Sequence, residues 1–243
     1  MGPESNPPSI PQITLDQVSV TLGLRTDRRG KVLRPGTPVL KACSWQIQTG
    51  DRWAIVGRAG SGKTTLLRLL NRLIDPTQGR LSWQGIDYRQ IPIQTLRRQI
   101  LYVPQEPKLL NMSVAEAIAY PLHLQKLASA DITQRCADII DRLQIPTTWL
   151  DQHEIQLSQN QRQWVAIARA LALAPPVLLL DQPTLLLDPA QISCLQLALK
   201  DGAARTVIIT GYSPDHLDLA IDHCYRLDSD RAPSSSDFTE ENW

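Results

Sequence analysis

The chain has almost no net charge: 25 Lys and Arg stand against 24 Asp and Glu, a formal +1. No global basic field draws it to nucleic acid or to an anionic membrane, so partners must be chosen by local features. Cysteines are few. Cys43, Cys136, Cys194 and Cys224 are far apart in sequence, with no CxxC spacing and no histidine alongside. That argues against a zinc site and against a disulfide-stapled secreted module, and the four read as thiols of a reducing cytosol. Long apolar runs are also missing. The richest stretches, Trp164–Leu173 and Val177–Leu180, fall short of the roughly 18 apolar residues that a membrane-spanning helix needs. Residues 1–12 carry prolines at 3, 7, 8 and 11 but neither a basic nor an apolar signal region, and are expected to be a flexible lead. What is present is 243 residues, 42% of them hydrophobic. That is enough for one domain with an insertion and a substantial core.

Short β-branched or alternating runs, Ile13–Val20 and Val39–Ile47, flank the polar stretch Thr26–Pro38, so an antiparallel flap is expected there. Trp53–Val56 reads as a buried strand running into Gly57, and Lys63–Ile74 follows with leucines on helical spacing. Between about Thr95 and Glu154 the helix-like segments Ser113–Tyr120 and Asp131–Leu143 follow one another without strong strands, which suggests a helical insertion. Helix Ser158–Leu173, strand Val177–Leu180, a helix from Pro189 and strand Thr206–Ile209 then alternate as in a parallel α/β sheet. Residues 229–243 form a polar, Ser-rich tail.

Two segments carry chemistry. Gly57-Arg58-Ala59-Gly60-Ser61-Gly62-Lys63-Thr64 matches G-x-x-x-x-G-K-[ST] between an expected strand and helix, the context that a phosphate-binding loop requires. Its glycines let backbone amides wrap phosphate oxygens, and the helix N-terminus adds partial positive charge. Lys63 should reach the β- and γ-phosphates, and Thr64 should offer its hydroxyl to Mg2+. Val177–Leu180 ends in Asp181, placed where a parallel strand would bring a carboxylate to the metal. A turn-capping aspartate is the plain alternative.

With these come Gln105 closing Tyr102-Val103-Pro104-Gln105, the segment Leu157-Ser158-Gln159-Asn160-Gln161-Arg162-Gln163, the run Asp181-Gln182-Pro183-Thr184, and Leu187-Asp188-Pro189. In this order and spacing the chain, from about Ile13 to Asp228, resembles the ATP-binding subunits of ABC transporters. The resemblance implies an α/β fold: a P-loop NTPase core, mostly parallel sheet with an antiparallel β flap, spanning 13–228, with an α-helical insertion subdomain at about 95–156. It implies ATP and Mg2+ as ligands and hydrolysis of ATP to ADP and phosphate. Gly57 to Thr64 with Thr65 would cradle the phosphates, Thr64, Gln105 and Asp181 would hold the metal, and Lys63, Gln105 and Gln182 would act on the reaction. Ser158 and Gln161 would face a nucleotide held mainly by a second ATP-binding subunit, homo- or heterodimeric. The other implied partner is a transmembrane permease, which would place the chain in the cytoplasm, peripheral on the inner face of the cell membrane. No nucleic acid beyond ATP is implied.

The chain also departs from that pattern. Gln159 and Asn160 stand where the family's Leu-Ser-Gly-Gly-Gln signature has glycines, and side chains there are expected to obstruct close backbone approach to the γ-phosphate. Gln182 replaces the catalytic glutamate; an amide accepts a hydrogen bond but takes no proton at neutral pH. Losing a general base costs about 10²–10⁴ in rate, so slow or absent hydrolysis is expected while binding survives. Gly211-Tyr212 replaces the switch histidine after Thr210, with His216 and His223 too far along to substitute. Asp188 matches the interface aspartate and can also cap a helix before Pro189, although Leu185–Leu187 depart from the usual small and polar residues. Leu22 takes the approximate place of the aromatic that stacks on adenine, with a nearby tryptophan as a conceivable replacement. Leu109, Leu110 and Met112 are candidates for permease contact or for core packing.

Two classes of function follow: an energy-coupling transporter subunit, or a non-hydrolysing ATP-binding regulatory or scaffold module. A soluble ABC ATPase of DNA repair or translation would bring tandem domains, a coiled coil or a basic face, none of which the sequence has. A small-molecule kinase would leave the signature segment unexplained.

Overall fold

A computed structural model describes residues 10–23, 25–26, 32–34, 36–200, 206–212 and 221–227. Most of the expected lead, His216 and the polar tail lie outside these described residues. In chain order the elements are β1 (Ile13–Leu22), β2 (Arg25–Thr26), β3 (Val32–Arg34), β4 (Thr37–Ile47), β5 (Arg52–Val56), α1 (Lys63–Leu70), β6 (Gln78–Trp83), β7 (Ile86–Asp87), α2 (Ile93–Gln99) and β8 (Ile100–Val103). They continue as α3 (Val114–Leu124), α4 (Ser129–Arg142), α5 (Gln159–Ala172), β9 (Val177–Leu180), α6 (Pro189–Lys200), β10 (Thr206–Gly211) and β11 (His223–Arg226).

A five-stranded sheet of order β11-β5-β10-β9-β8, with every pair parallel, carries the core. Its central strands are continuous apolar runs because both faces are covered. In β9, Leu178 and Leu180 face the helices α3 to α6, while Val177 and Leu179 face α1 and the flap. β1 and β4 pair antiparallel as the alternating runs predicted, and β6 and β7, which those runs do not include, extend this flap to the four-stranded sheet β4-β1-β6-β7. β2 and β3 pair as a short antiparallel ribbon within the stretch expected to be a loop.

Two expectations change. The stretch from Thr95 to Glu154 was expected to lack strong strands, yet β8 lies in it and joins the parallel sheet beside β9. A four-residue apolar run cannot be told from helix by periodicity alone. The helix after the loop stops at Leu70 rather than Ile74, because Arg72 turns into the left-handed region at φ 53°. Asn71 caps that helix, and its amide donates to the Ile100 carbonyl at the head of β8. Trp164, 2% exposed on α5, donates through its indole N–H to the Leu143 carbonyl after α4, fastening the helical layer.

Candidate functional site

Parallel strands place their C-terminal ends together, and the loops there are where such a sheet presents chemistry. β5 ends at Val56 and enters the turn Gly57–Gly62. Gly57 admits no side chain, since a Cβ there would collide with the Leu227 carbonyl and lie 2.8 Å from Ser61 Oγ. Gly62 caps α1 at φ 101°, a left-handed conformation open to glycine at little cost. The turn leaves the first amides of α1 without helical partners, a ready anion site.

Lys63, 3% exposed, folds its ammonium back into the loop, donating to the carbonyls of Gly57 at 2.6 Å and Arg58 at 2.8 Å. Burial lowers its pKa, and the Asp181 charge opposes that shift. Thr64 and Thr65 are half-buried on the first turn, while Arg58, Ala59 and Gly60 are exposed. Ser61 Oγ is buried with no hydrogen-bond partner among the described residues.

Asp181 follows β9 and is 1% exposed. Tyr102 donates its phenol to one carboxylate oxygen at 2.9 Å, and Thr210 donates its hydroxyl to the other at 2.8 Å. Burial, then the Asp181 charge and hydrogen bond, push the Tyr102 pKa up to about 12, so its proton stays on as a donor at neutral pH. The Gln182 amide N–H donates to the same Thr210 oxygen at 3.0 Å, and Gln182 sits at φ 50°. Gln182 is 9% exposed and its Oε1 has no partner among the described residues. Thr210 thus aligns Asp181 and Gln182 together. Neither Tyr102 nor Thr210 was assigned a role from sequence. The signal lies in register: Leu179 pairs with Tyr102 and Leu180 with Ile209, which puts Thr210 level with Asp181.

Gln105 is half-buried two residues beyond β8, at the same end of the sheet. Ser158 and Gln161 stand elsewhere. They form a capping box at the start of α5, where Ser158 Oγ accepts from the Gln161 amide at 3.2 Å and Gln161 Oε1 from the Ser158 amide at 2.8 Å. No hydrogen bond joins either of them to the phosphate loop among the described residues.

Asn160 does not project from that cap as expected. Its side-chain amide donates to the Leu186 carbonyl and to Gln191 Oε1 at 2.8 Å, and its own oxygen accepts from Gln191 at 3.2 Å. Gln191 Oε1 also accepts from the Asp188 amide, and Asp188 Oδ1 accepts from the Gln191 amide at 2.8 Å, capping α6. Of the two residues in the glycine places, Gln159 is exposed and Asn160 is half-buried.

Three further expectations are settled by burial. Trp45, Trp53 and Trp83 are 3%, 5% and 8% exposed, so none replaces an adenine-stacking aromatic beside Leu22. His223 stacks on the Trp53 ring at 4.5 Å. Leu109 is fully buried and Met112 packs against the core, whereas Leu110 is exposed. A groove of about 800 Å3 opens across the flap, lined by Thr14, Asp16, Ser44, Gln46 and Arg80 among others, and no phosphate-loop residue lines it.

The comparison with known proteins decides the family. Residues 40–185 match the family model described as ABC transporter. The chain belongs to the ABC transporter family. It is 39% identical over 183 residues to ATP-binding cassette sub-family B member 5 of Homo sapiens, covering 72% of this chain and 15% of that protein. It is equally 39% identical over 185 residues to the ATP-dependent lipid A-core flippase of Alcanivorax borkumensis, covering 73% of this chain and 32% of the relative. The chain therefore spans between about a seventh and a third of these relatives. Among solved structures, a dimeric ATP-binding cassette in a post-hydrolysis state bound to ADP and Pi superposes with TM-score 0.76 at 25% identity, over 91% of this chain and 97% of that one. A bacterial Atm1-family exporter with ATP bound superposes with TM-score 0.74 at 29% identity, over 92% of this chain and 38% of that one. The ABC chain thus carries the family's ATP-binding domain, an ATPase domain whose members bind ATP with Mg2+. Among the described residues, no helix is long and apolar enough to cross a membrane.

Proposed function

We propose that this ABC chain is the energy-coupling ATP-binding part of a transporter, holding Mg-ATP at a dimer interface and passing its binding and slow hydrolysis to a membrane permease. The observation that carries the reading is the division of the site residues. Lys63, Asp181 and Gln182 gather at one end of the sheet, while Ser158 and Gln161 cap a helix elsewhere in the same chain. A complete site then needs the signature helix of a second subunit.

The residues fit Mg-ATP. Ser61 Oγ and Gln182 Oε1 are buried polar atoms with no partner among the described residues, and Lys63 holds its charge among loop carbonyls. Gly57 to Thr65 cradle the phosphates. Thr64, Gln105 and Asp181 would hold the metal, the two hydroxyl donors leaving lone pairs free on the Asp181 carboxylate. A Mg2+ ion there would supply charge neutralisation to the bound phosphates. Gln182 orients a water by accepting its hydrogen bond but takes no proton from it. Ser158 and Gln161 face the partner's nucleotide through the N-terminus of α5.

Contact with the permease, and with it a place on the cytoplasmic face of the membrane, is assigned to the segment after Gln105. Leu110 there is 61% exposed and Ile155 is 86% exposed. The two segments are tied together, since Glu154 Oε2 accepts from the Asn111 amide at 2.9 Å and Ser113 bridges His153. Gln182 favours a second reading, a clamp that binds ATP and dimerises without turnover.

Sedimentation of the chain with Mg-ATP and with Mg-ADP tests the composite site. The expected result is a dimer with ATP alone, lost in Ser158→Ala and in Lys63→Ala. A chain that binds ATP yet stays monomeric at tens of micromolar contradicts the reading.

A further inference from the structure

The start of α5 and the loop that leads into α6 are tied by side chains to which the chemistry above gives no task. Asn160 donates its side-chain amide to the Leu186 carbonyl and to Gln191 Oε1 at 2.8 Å, and Gln191 Nε2 returns a bond to Asn160 Oδ1 at 3.2 Å. Gln191 Oε1 also accepts from the Asp188 backbone amide at 3.1 Å, so one side chain serves both Asn160 and the Asp188 turn. Asn160 and Gln191 are half-buried, while Ser158, Leu185 and Asp188, on the two segments they join, are exposed. A glycine at position 160 has no side chain to make these bonds, so the tie belongs to this chain and not to the family's Leu-Ser-Gly-Gly-Gln pattern.

We propose that Asn160 is a positioning residue for the subunit interface: its side chain holds the start of α5 and the Asp188 loop in one arrangement, so that Ser158 and Asp188 meet a second ATP-binding subunit as one preset surface. The proposal deepens the composite-site reading given above and rests on it. Ordering two separate segments at the moment of association costs free energy, and a tie made beforehand removes part of that cost. Two amides that each donate to and accept from the other fix direction as well as distance. Turned into this tie, the Asn160 side chain serves association instead of obstructing it.

Obstruction and positioning make opposite forecasts for Asn160→Gly. An obstructing side chain, once removed, gives a stronger ATP-dependent dimer; a positioning one gives a weaker dimer, and Asn160→Ala then weakens it too. Sedimentation over a range of chain concentrations, with a non-hydrolysable ATP analogue and Mg2+, reads the dimer dissociation constant, and a titration of dilute monomer reads binding of the analogue. The expected result for both variants is dimerisation weaker by about fivefold or more, with analogue binding changed less than about twofold, because no phosphate-loop residue takes part in the tie. Gln191→Ala breaks the tie from α6 and leaves position 160 untouched, so the same weakening is expected there even where Asn160→Gly fails to fold. Dimerisation that is unchanged or stronger in Asn160→Gly, or unchanged in Gln191→Ala, overturns the proposal. Equal weakening of dimerisation and of analogue binding marks a merely structural tie and overturns it as well. If the unmodified chain binds the analogue yet stays monomeric, the composite-site reading fails and the proposal falls with it. If the unmodified chain dimerises and the variants do so equally well, only the role of Asn160 is refuted.

Discussion

Replacing Gln182 by glutamate isolates the one atom that distinguishes orienting a water from deprotonating it. The backbone is already set: φ is 50° and the amide N–H is held by Thr210 Oγ1 at 3.0 Å. In Gln182→Glu the introduced carboxylate takes a position 9% exposed, directly after Asp181, which is 1% exposed. Burial and the neighbouring negative charge both raise its pKa, as required of a general base working near neutral pH. A general base contributes about 10²–10⁴ in rate, so phosphate release should rise by that factor. The same environment weakens the fold. Ionised and buried there without a partner, the carboxylate costs the fold about 1–3 kcal/mol. For a domain of this size that lowers Tm by about 2–12 °C. The sign follows from linkage. The folded-state pKa lies above the unfolded one, so the penalty is full above the folded pKa and vanishes below the unfolded pKa of about 4.3. The Tm gap to the unmodified chain, measured by calorimetry without nucleotide, should close as pH falls from 8 to 4. Unchanged turnover with intact Mg-ATP binding would refute the assignment of the rate defect to Gln182 and move it to the other departures. A Tm gap independent of pH would refute the buried environment.

The remaining predictions concern other departures. Asn160→Ala removes the side-chain bonds to Leu186 and Gln191, leaving a part-buried carbonyl and amide less well paired. Chemical denaturation should show a loss of about 1–3 kcal/mol, and no loss would mean the link between α5 and α6 is idle. Leu22→Tyr should supply the missing adenine stacking and tighten ATP binding about 5- to 150-fold in an equilibrium titration; unchanged affinity would place the base elsewhere. Cys43 is 1% exposed, and burial pushes its thiol up to about 12. With a maleimide at pH 8, mass spectrometry should find Cys43 alkylated last of the four, and early modification there would contradict its place in the flap core.

What the sequence made legible was local. The phosphate loop is eight consecutive residues whose spacing is itself the site, and Asp181 ends an apolar run, so both could be placed before any fold was known. The partners of Asp181 could not. Tyr102 is 79 residues from it and Thr210 is 29, and only the parallel register brings them together. The Asn160 side chain was expected to block the helix start because its partner Gln191, 31 residues on, is invisible to local spacing. β8 was marked only at its end, by Pro104 and Gln105, because Ile100–Val103 is too short for period to separate strand from helix. The runs Ile13–Val20 and Val39–Ile47 were legible as strands because their alternating or β-branched character is long enough to read.

The most direct measurement is single-turnover phosphate release from labelled Mg-ATP, comparing the unmodified chain with Lys63→Ala. The expected result is ATP retained by the chain and cleaved slowly, over minutes or longer, with Lys63→Ala retaining none. Release that is fast and indifferent to Lys63→Ala, or failure of the chain to retain ATP at all, would contradict a phosphate loop that binds Mg-ATP beside a glutamine that cannot take the proton.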